Sequence, residues 1–380
     1  MSKPKMAYNI NELRTKVQRN EQASTFLKGC NLDEAKLITA QTMHDVFYIP
    51  AIEGSSSGAY IKLAKSGRDE PDRKEMEIEA SWYNIFKNNF HLPEAPRAIT
   101  FKLGDGNFAL AVEEVIGKTY DTIFRRLGAE KRLEESTELK EVMDLSARIA
   151  VLGAEYHQEN PTSSQAYFGE FNEGEHTFLN GKTVKILRAN AFTQGDALEK
   201  LLASTKENLT NPKTWLFYRD ATPLNWIEYN NNPVAIDLGS TSYRPPQFEA
   251  IALFETPNTG FETLTEEQRV KLLLKYKARL EEHGANVGSD EYFLMQYGLA
   301  SIVKNSSGIA SRTDHINKNR ADIDSDDTEK ASLATSRLFG NIEGRNFHRK
   351  RALRGLELSE KYFSSMKSEY NLVKEALETF

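Results

Sequence analysis

The chain has 380 residues, which is long enough for two domains or for one two-lobed unit with a sizeable core in each part. Its hydrophobic fraction of 39% and its charged fraction of 27% are those of a soluble globular protein. The formal net charge of −6 at pH 7 argues against a nucleic-acid-binding protein, because neutralisation of phosphates requires an excess of basic residues.

Cysteine content and hydrophobic patterning indicate a cytoplasmic protein with no membrane partner. Cys30 is the only cysteine, so the sequence excludes an intrachain disulfide and a structural zinc site built from several thiolates. The residues that follow Met6 are polar, unlike the apolar segment of a signal peptide. No uninterrupted apolar run is long enough to cross a membrane.

The first third of the sequence predicts a helical extension followed by an antiparallel sheet. Residues 1–35 carry an imperfect apolar stripe at helical spacing that ends near Gly29. Short β-prone runs separated by turns follow, with one helical run between the third and the fourth. The predicted strands are Lys36–Gln41, Val46–Ile52, Ala59–Ala64, Ala98–Leu103 and Phe108–Val115, and the predicted helix is Glu75–Phe86. Residues 36–117 are therefore predicted to form a five-stranded antiparallel sheet with one helix.

From Lys118 onward, helical periodicity dominates the sequence. The predicted helices are Glu138–Gln158, Ala197–Lys206, Gln268–His283, Asp290–Lys304 and one at the C terminus, whereas residues 160–195 show no clear pattern. The polar, Asp-rich residues 305–332 predict a mobile loop. We therefore expect a helical lobe over residues 118–304, the loop over residues 305–332, and C-terminal helices over residues 333–380 that pack on the helical lobe.

Three polar residues stand out in the segment from Trp215 to Ser240, where two apolar runs flank an Asn-rich turn. Asp220 and Asn225 lie on a Pro-containing loop, and Asp237 ends the next apolar run. This set suits phosphoryl transfer, in which one carboxylate faces the attacking hydroxyl while an amide oxygen and a second carboxylate hold magnesium against the phosphates. The spacing alone fits an ordinary Asx-rich hairpin equally well.

An upstream lysine and glutamate strengthen the interpretation of that segment as a phosphotransfer site. Phosphotransferases of this kind need a lysine on a strand beneath the nucleotide and a carboxylate on the neighbouring helix that holds the lysine in place. Lys62 lies in the third predicted strand, and Glu79 lies on the helix that follows it. Glu75, one turn earlier on the same helix face, is the alternative partner of Lys62.

Over about Lys36 to Phe254 the sequence resembles the aminoglycoside phosphotransferase and choline kinase branch of the protein-kinase-like fold. The resemblance rests on five features in the expected order: the strand Ala59–Lys62, the helix with Glu79, the linker Ala111–Gly117, the loop Tyr218–Asn225 and the segment Ile236–Gly239. It implies an α+β, two-lobed fold with a five-stranded antiparallel N-lobe that carries one helix and a mainly helical C-lobe.

The resemblance also implies ATP and Mg²⁺ as cofactors and assigns a role to each candidate residue. The implied nucleotide-binding groups are Lys62 on the α- and β-phosphates, Glu79 as its ion-pair partner, and the backbone of Glu113 and Val115 on the adenine edge. The implied catalytic group is Asp220, which faces the acceptor hydroxyl, and the implied metal ligands are Asn225 and Asp237.

Two positions depart from the family pattern. The expected phosphate-covering loop, residues 41–45, contains no glycine, although glycines there let backbone amides approach the phosphates. The hydroxyl of Thr42 is a partial substitute. Tyr218 stands where the family usually has a structural histidine. The glycine-free loop leaves open a pseudokinase or a nucleotide-binding scaffold as the alternative function.

The acceptor is predicted to be the hydroxyl of a small molecule, such as an aminoglycoside, choline or a sugar-like compound. A protein kinase is less favoured, because Pro245 and Pro246 follow Asp237 so closely that no peptide-docking segment fits between them. A cationic acceptor is one possibility, for which Glu255, Asp290 and Glu291 are candidate attracting acids. The sequence does not indicate the oligomeric state.

Overall fold

The computed structural model describes most of the chain, which forms two compact units. The described residues are 10–39, 44–55, 57–64, 69–92, 95–103, 107–161, 181–189, 192–209, 215–324 and 328–379. The first unit takes in Met1–Ile123, Leu152–Glu170 and Arg219–Ser242, and the second takes in Phe124–Val151, Phe171–Tyr218 and Tyr243–Phe380. In the described part of the chain, no helix is long and apolar enough to cross a membrane. The domain boundaries drawn from the sequence remain predictions.

Helices and strands alternate at first, and helices dominate later. The helices are α1 Ile10–Gln18, α2 Glu21–Phe26, α3 Asp69–Asn88, α4 Tyr120–Ala129, α5 Thr137–Glu159, α6 Gly181–Ala189, α7 Gly195–Leu209, α8 Gln247–Phe254, α9 Glu266–Glu282, α10 Asp290–Ile323, α11 Thr328–Leu358 and α12 Lys367–Thr379. The strands are β1 Lys36–Thr39, β2 His44–Ile49, β3 Ala59–Ala64, β4 Ala98–Lys102, β5 Phe108–Glu113, β6 Lys118–Thr119, β7 Leu216–Tyr218, β8 Trp226–Tyr229, β9 Asn232–Ala235 and β10 Ser242–Arg244.

The first unit contains the predicted five-stranded antiparallel sheet. Its strand order is β1-β2-β3-β5-β4, and every neighbouring pair is antiparallel. Helix α3 packs against β3, β4 and β5. Strand β3 has the predicted ends, whereas β2 ends before Pro50, whose nitrogen has no hydrogen to donate to a neighbouring strand. The predicted turn at residues 104–106 lies outside the described residues.

Helices α1 and α2 cover one face of this sheet. Side chains alternate between the two faces of a strand, so Ile61 and Leu63 of β3 point to the same side. Both belong to a buried core that also contains Leu13 and Val17 of α1. Lys62, which stands between Ile61 and Leu63, therefore points to the opposite face of the sheet.

A second, three-stranded sheet in the first unit carries the other candidate residues. Its order is β6-β8-β9, with Asn225 immediately before β8 and Asp237 two residues after β9. The two residues between β8 and β9, Asn230 and Asn231, have φ values of 51° and 62°. Positive φ at both positions is what a tight two-residue hairpin requires, and asparagine adopts this conformation more readily than most residues. The hairpin thus fixes the pairing of β8 with β9, which places Asn225, before β8, and Asp237, after β9, at the same end of the two strands.

The prediction of a polar loop over residues 305–332 is wrong. Helix α10 continues to Ile323 and α11 begins at Thr328, so only residues 325–327 between them are not described. Ile309, Thr313 and Ile316 are buried at helical spacing, and α10 packs along α11. The polar residues of this segment lie mostly on the exposed side of a long helix pair, which composition alone did not distinguish from a loop.

Candidate active site

Lys62 lies at the centre of the candidate site. Its Nζ atom donates hydrogen bonds to Glu79 Oε1 and Oε2 at 2.9 and 2.8 Å, and to Asp237 Oδ1 at 2.8 Å. The Glu79 side chain is only 3% exposed, whereas that of Asp237 is 54% exposed. One side of the lysine is therefore sealed by a buried carboxylate, and the other faces a carboxylate that solvent and ligands can reach.

The charges of this cluster stabilise one another. Burial alone lowers the pKa of Lys62, but the carboxylates of Glu79 and Asp237 outweigh it and raise that pKa above its ordinary value. The Lys62 charge in turn lowers the pKa of Asp237. Burial raises the pKa of Glu79, and the nearby ammonium opposes this effect. At neutral pH the cluster therefore holds a cationic lysine and an ionised Asp237.

The structure distinguishes between the two glutamates that the sequence offered as partners of Lys62. Glu79 makes the contact, while the side chain of Glu75 lies beside Gly239. A Cβ atom at residue 239 would come within 2.8 Å of Glu75 Cγ. A glycine two residues after Asp237 therefore lets this backbone pass close to α3.

Tyr83 is a member of the cluster that the sequence analysis missed. Its hydroxyl accepts a hydrogen bond from the backbone N–H of Asp237 at 2.9 Å and donates one to Glu79 Oε1 at 3.3 Å. The side chain is buried, at 2% exposure. Tyr83 follows Glu79 by four residues, so both side chains point to the same face of α3, and this spacing is the signal that would have identified it.

Asp220 and Asn225 are joined through the loop between them. Asn225 Nδ2 donates to the backbone carbonyl of Asp220 at 2.7 Å, and Ile236 N donates to the carbonyl of Asn225 at 3.0 Å. Because a backbone carbonyl only accepts hydrogen bonds, the amide group of Asn225 must turn its nitrogen toward Asp220. Its Oδ1 atom is then not the atom that faces the Asp220 carbonyl, and Ile236, the residue before Asp237, is bonded to the backbone of the same asparagine.

A buried arginine and tryptophan hold the backbone around Asp220. Arg219 is 1% exposed, and its Cζ atom lies 3.7 Å from the centroid of the Trp226 ring. Trp226 Nε1 donates to the carbonyl of Ala221 at 3.2 Å. These contacts fix the residues on both sides of Asp220, which is itself only partly buried. Neither side chain was expected from the sequence to have this role.

Tyr218, at the position usually taken by a structural histidine, is packed in the second unit. It is 5% exposed, and Arg244 Cζ lies 4.2 Å from its ring centroid. The aromatic ring is thus a buried structural element.

Glu113 is the last residue of β5, and Val115 lies in the linker that follows it. Glu113 N donates to the carbonyl of Arg97 at 2.9 Å, and Glu114 N donates to the carbonyl of Gly58 at 2.9 Å. In the part of the chain that the structure describes, no backbone hydrogen bond uses the N–H of Val115.

Two tyrosines lie next to this linker, on the sheet face that carries Lys62. Tyr60 precedes Lys62 by two residues, and its ring centroid lies 5.3 Å from that of Tyr48. Tyr48 donates to Glu114 Oε2 at 3.1 Å, and its burial raises its pKa to about 12, with a further contribution from Glu114. The pair offers an aromatic surface between the linker and the lysine, which the sequence analysis also missed.

One cavity of the first unit lies away from this site. It measures about 920 Å³ and lies between α2, α3 and β4. Its lining contains none of the predicted site residues. Charge and hydrogen bonding, rather than cavity size, identify the candidate site.

The oxygen atoms of Asn225 and Asp237 fit a hard divalent cation. Mg²⁺ prefers oxygen ligands and is usually held by one or two protein groups together with water and substrate phosphates. Among the described residues, no cluster of three or more His, Cys, Asp or Glu side chains forms a metal cage. The Asp237 carboxylate beside Lys62 and the amide oxygen of Asn225 are two protein oxygens of the kind that the shared protein-and-phosphate type of site uses. Thr42, the predicted substitute in the phosphate loop, lies outside the described residues.

The three acids proposed to attract a cationic acceptor all have partners in the second unit. Glu255 is buried and accepts hydrogen bonds from Tyr297 at 2.7 Å and Asn305 at 2.8 Å. Asp290 pairs with Lys277 at 3.0 Å, and Glu291 pairs with Lys361. That part of the prediction is wrong for Glu255, because a carboxylate buried in a hydrogen-bonded network cannot meet a ligand.

Comparisons with known proteins show a similarity of fold. No protein-family model matches the sequence, and no curated protein sequence matches it. Among solved structures, amicoumacin kinase hAmiN in complex with AMP-PNP, Ca²⁺ and Ami is 12% identical, with a TM-score of 0.51 over 90% of this chain and 95% of that chain. Plasmodium vivax ethanolamine kinase is 13% identical, with a TM-score of 0.45 over 83% of this chain and 84% of that chain. Macrolide 2′-phosphotransferase MphH from Brachybacterium faecium is 10% identical, with a TM-score of 0.41 over 85% of this chain and 98% of that chain.

The likeness to the amicoumacin kinase agrees with the predicted fold class. Both the five-stranded antiparallel sheet of the first third and the helical character of the remainder were expected from the sequence. The chain has an α+β fold of the protein-kinase-like type, similar to that of amicoumacin kinase.

Proposed function

We propose that this protein is a small-molecule phosphotransferase of the aminoglycoside phosphotransferase and choline kinase branch, which transfers the γ-phosphoryl group of ATP to a hydroxyl. The observation that carries the proposal is the simultaneous contact of Lys62 with Glu79 and Asp237. A structural ion pair needs only one carboxylate. A second, solvent-accessible carboxylate on the same lysine is the arrangement expected where a charged nucleotide and its metal bind.

Nucleotide binding uses groups along one face of the sheet. Lys62, held by Glu79, supplies positive charge to the phosphates. Tyr60 offers an aromatic surface on which the base can stack. The N–H of Val115 and the carbonyl of Glu113 provide a donor and an acceptor for the edge of adenine.

Asn225 Oδ1 and the carboxylate of Asp237 would hold Mg²⁺, which supplies neutralising charge at the phosphates when it is bound. Asp220 orients the acceptor hydroxyl. As the oxygen of that hydroxyl bonds to the γ-phosphorus, its proton passes to the Asp220 carboxylate, and the bond from phosphorus to the bridging oxygen of ADP breaks. Arg219 and Trp226 keep the Asp220 loop in one conformation during this step.

The proposal predicts ADP release that depends on an acceptor. The assay measures ADP formed from ATP and Mg²⁺ by the purified protein with a panel of hydroxyl compounds. The panel contains aminoglycosides and choline, which the sequence suggests as acceptors. It also contains ethanolamine, a macrolide and amicoumacin, because similar structures include enzymes named for these compounds. Loss of general-base catalysis in Asp220→Asn should lower the rate by about 10²–10⁴-fold.

Leu224→Ala is the matched control, because Leu224 is a 54% exposed side chain in the same loop and should leave the rate near that of the wild type. Full activity in a folded Asp220→Asn variant would contradict the proposal. ATP binding without ADP release for any acceptor would instead favour a nucleotide-binding module, the function that the glycine-free residues 41–45 left open.

A further inference from the structure

Four residues of the first unit, including the candidate metal ligand Asp237, form a closed ring of contacts. Lys62 bonds to the carboxylate of Asp237, and Tyr83 bonds to its backbone N–H. Both Lys62 and Tyr83 also bond to Glu79. Asp237 is therefore held at two points, one on its side chain and one on its backbone, and both restraints depend on the same buried glutamate.

The backbone restraint matters because Asp237 has an unusual conformation. Its φ angle is +57°, in the left-handed region that residues with a side chain seldom adopt. A phenylalanine in place of Tyr83 would keep the aromatic ring and lose only the hydroxyl. That hydroxyl makes its two hydrogen bonds to the two carboxylate residues that contact Lys62.

We propose that Tyr83 is a positioning residue for the metal-binding carboxylate, because its hydroxyl holds the backbone of Asp237 in the conformation that presents the carboxylate to Lys62 and to Mg²⁺. The inference rests on the proposed function, since it deepens the role of Asp237 in nucleotide binding. It also makes the position of α3 and the orientation of Asp237 depend on each other through one hydrogen bond.

Removal of the hydroxyl should weaken the metal-dependent part of nucleotide binding specifically. In Tyr83→Phe the N–H of Asp237 loses its acceptor, and the segment can leave its left-handed conformation. Lys62 retains both oxygens of Glu79, so its contact with the phosphates should persist. The effect should therefore appear in the gain of affinity that Mg²⁺ provides and not in metal-free binding.

The experiment measures AMP-PNP affinity with and without Mg²⁺ by calorimetric titration. We expect the Mg²⁺-dependent gain in affinity to be about tenfold smaller in Tyr83→Phe than in the wild type, the size expected from one lost hydrogen bond to an oriented group. The matched control is Tyr297→Phe in the second unit, which also removes a buried tyrosine hydroxyl that donates to a glutamate. The control should retain the wild-type gain, even where it lowers stability.

Amide hydrogen exchange in the absence of ligand gives a second readout, which does not depend on activity or on nucleotide binding. In the wild type, the N–H of Asp237 should be protected, because its acceptor is a buried hydroxyl. In Tyr83→Phe this amide should exchange faster, while the N–H of Ile236, bonded to Asn225, should keep its protection.

The outcomes separate this inference from the proposed function. If the wild type binds AMP-PNP with Mg²⁺ and Tyr83→Phe shows the same Mg²⁺-dependent gain, the inference is refuted and the phosphotransferase proposal stands. If the N–H of Asp237 is unprotected in the wild type, the inference is likewise refuted. If the wild type binds no nucleotide, the proposed function fails, and the metal-positioning role fails with it.

Discussion

Lys62→Met removes the cation that neutralises the buried carboxylate of Glu79. Both oxygens of Glu79 accept hydrogen bonds from Lys62, and only 3% of the glutamate side chain is exposed. Methionine has a similar length and no charge, so packing is largely preserved. The perturbation therefore isolates the cost of a buried carboxylate without its counter-ion.

The magnitude follows from the burial of the two partners. Removal of one partner from a buried ion pair typically costs about 3–5 kcal/mol of unfolding free energy. Because the Lys62 side chain is 18% exposed, we expect the lower end, about 3 kcal/mol. Glu79→Gln added to Lys62→Met should recover most of this loss, because the neutral amide can still accept a hydrogen bond from Tyr83.

Urea unfolding at neutral pH measures these differences. Lys271→Met is the control, because Lys271 lies at the surface in pairs with Glu134 and Glu135, and its removal should hardly change stability. The loss in Lys62→Met should also be smaller at acidic pH. Burial raises the pKa of Glu79, so a Glu79 without its lysine takes up a proton as the pH falls. As the pH rises through the raised pKa, the carboxyl must ionise in a buried site, and the unfolding free energy decreases. Equal stability of the single and double variants would refute the reasoning.

Three further predictions concern the surroundings of the site and the second unit. Tyr60→Ala should weaken AMP-PNP binding by about 1–3 kcal/mol through loss of stacking, as measured by calorimetric titration. Partial burial raises the pKa of Glu113, but Arg97 lowers it more, so the pKa lies below its ordinary value. The ionised Glu113 therefore stabilises the folded protein above the unfolded-state pKa, and this stabilisation is lost as the pH falls through the folded-state pKa. Arg97→Met should therefore reduce unfolding free energy at neutral pH, and this reduction should shrink as the pH falls through the lowered pKa of Glu113. Burial lowers the pKa of His348 to about 4, so stability should fall as the pH drops from about 6.5 to 4, and His348→Gln should remove this dependence in urea unfolding.

The sequence predicted the sheet and the lysine contact well because their signals are local. Strand β3 alternates buried and partly exposed residues, and its ends were predicted correctly. The pairing of Lys62 with Glu79 followed from one strand and the helix after it. Predicting these features requires only the periodicity of one strand and the order of that strand and the next helix along the chain.

The contacts that complete the site could not be predicted in the same way. Tyr83 meets Asp237 across 154 positions of sequence, at a residue whose φ is positive, and neither feature has a local sequence signal. Arg219 was visible as a neighbour of Asp220, but its packing on Trp226 depends on how the loop folds back. Such contacts are set by tertiary geometry, for which the sequence gives candidates and no distances.

The long helix pair shows the opposite case, in which a local signal was present but outweighed by composition. Ile309, Thr313 and Ile316 have helical spacing, yet the polar residues around them favoured a loop. Glu255 was similarly misjudged as a surface acid, because its partners Tyr297 and Asn305 lie more than forty residues away. Composition alone therefore did not distinguish the polar face of a helix from a loop, and it did not distinguish a buried acid from a surface acid.

Transfer of label from γ-labelled ATP to an acceptor tests the central claim most directly. The account predicts labelled acceptor with the wild type for at least one hydroxyl compound of the panel, and label lowered by about 10²-fold or more with Asp220→Asn. Equal labelling by the two proteins would contradict the role of Asp220. ADP formation without any labelled acceptor would contradict phosphotransfer to a small molecule.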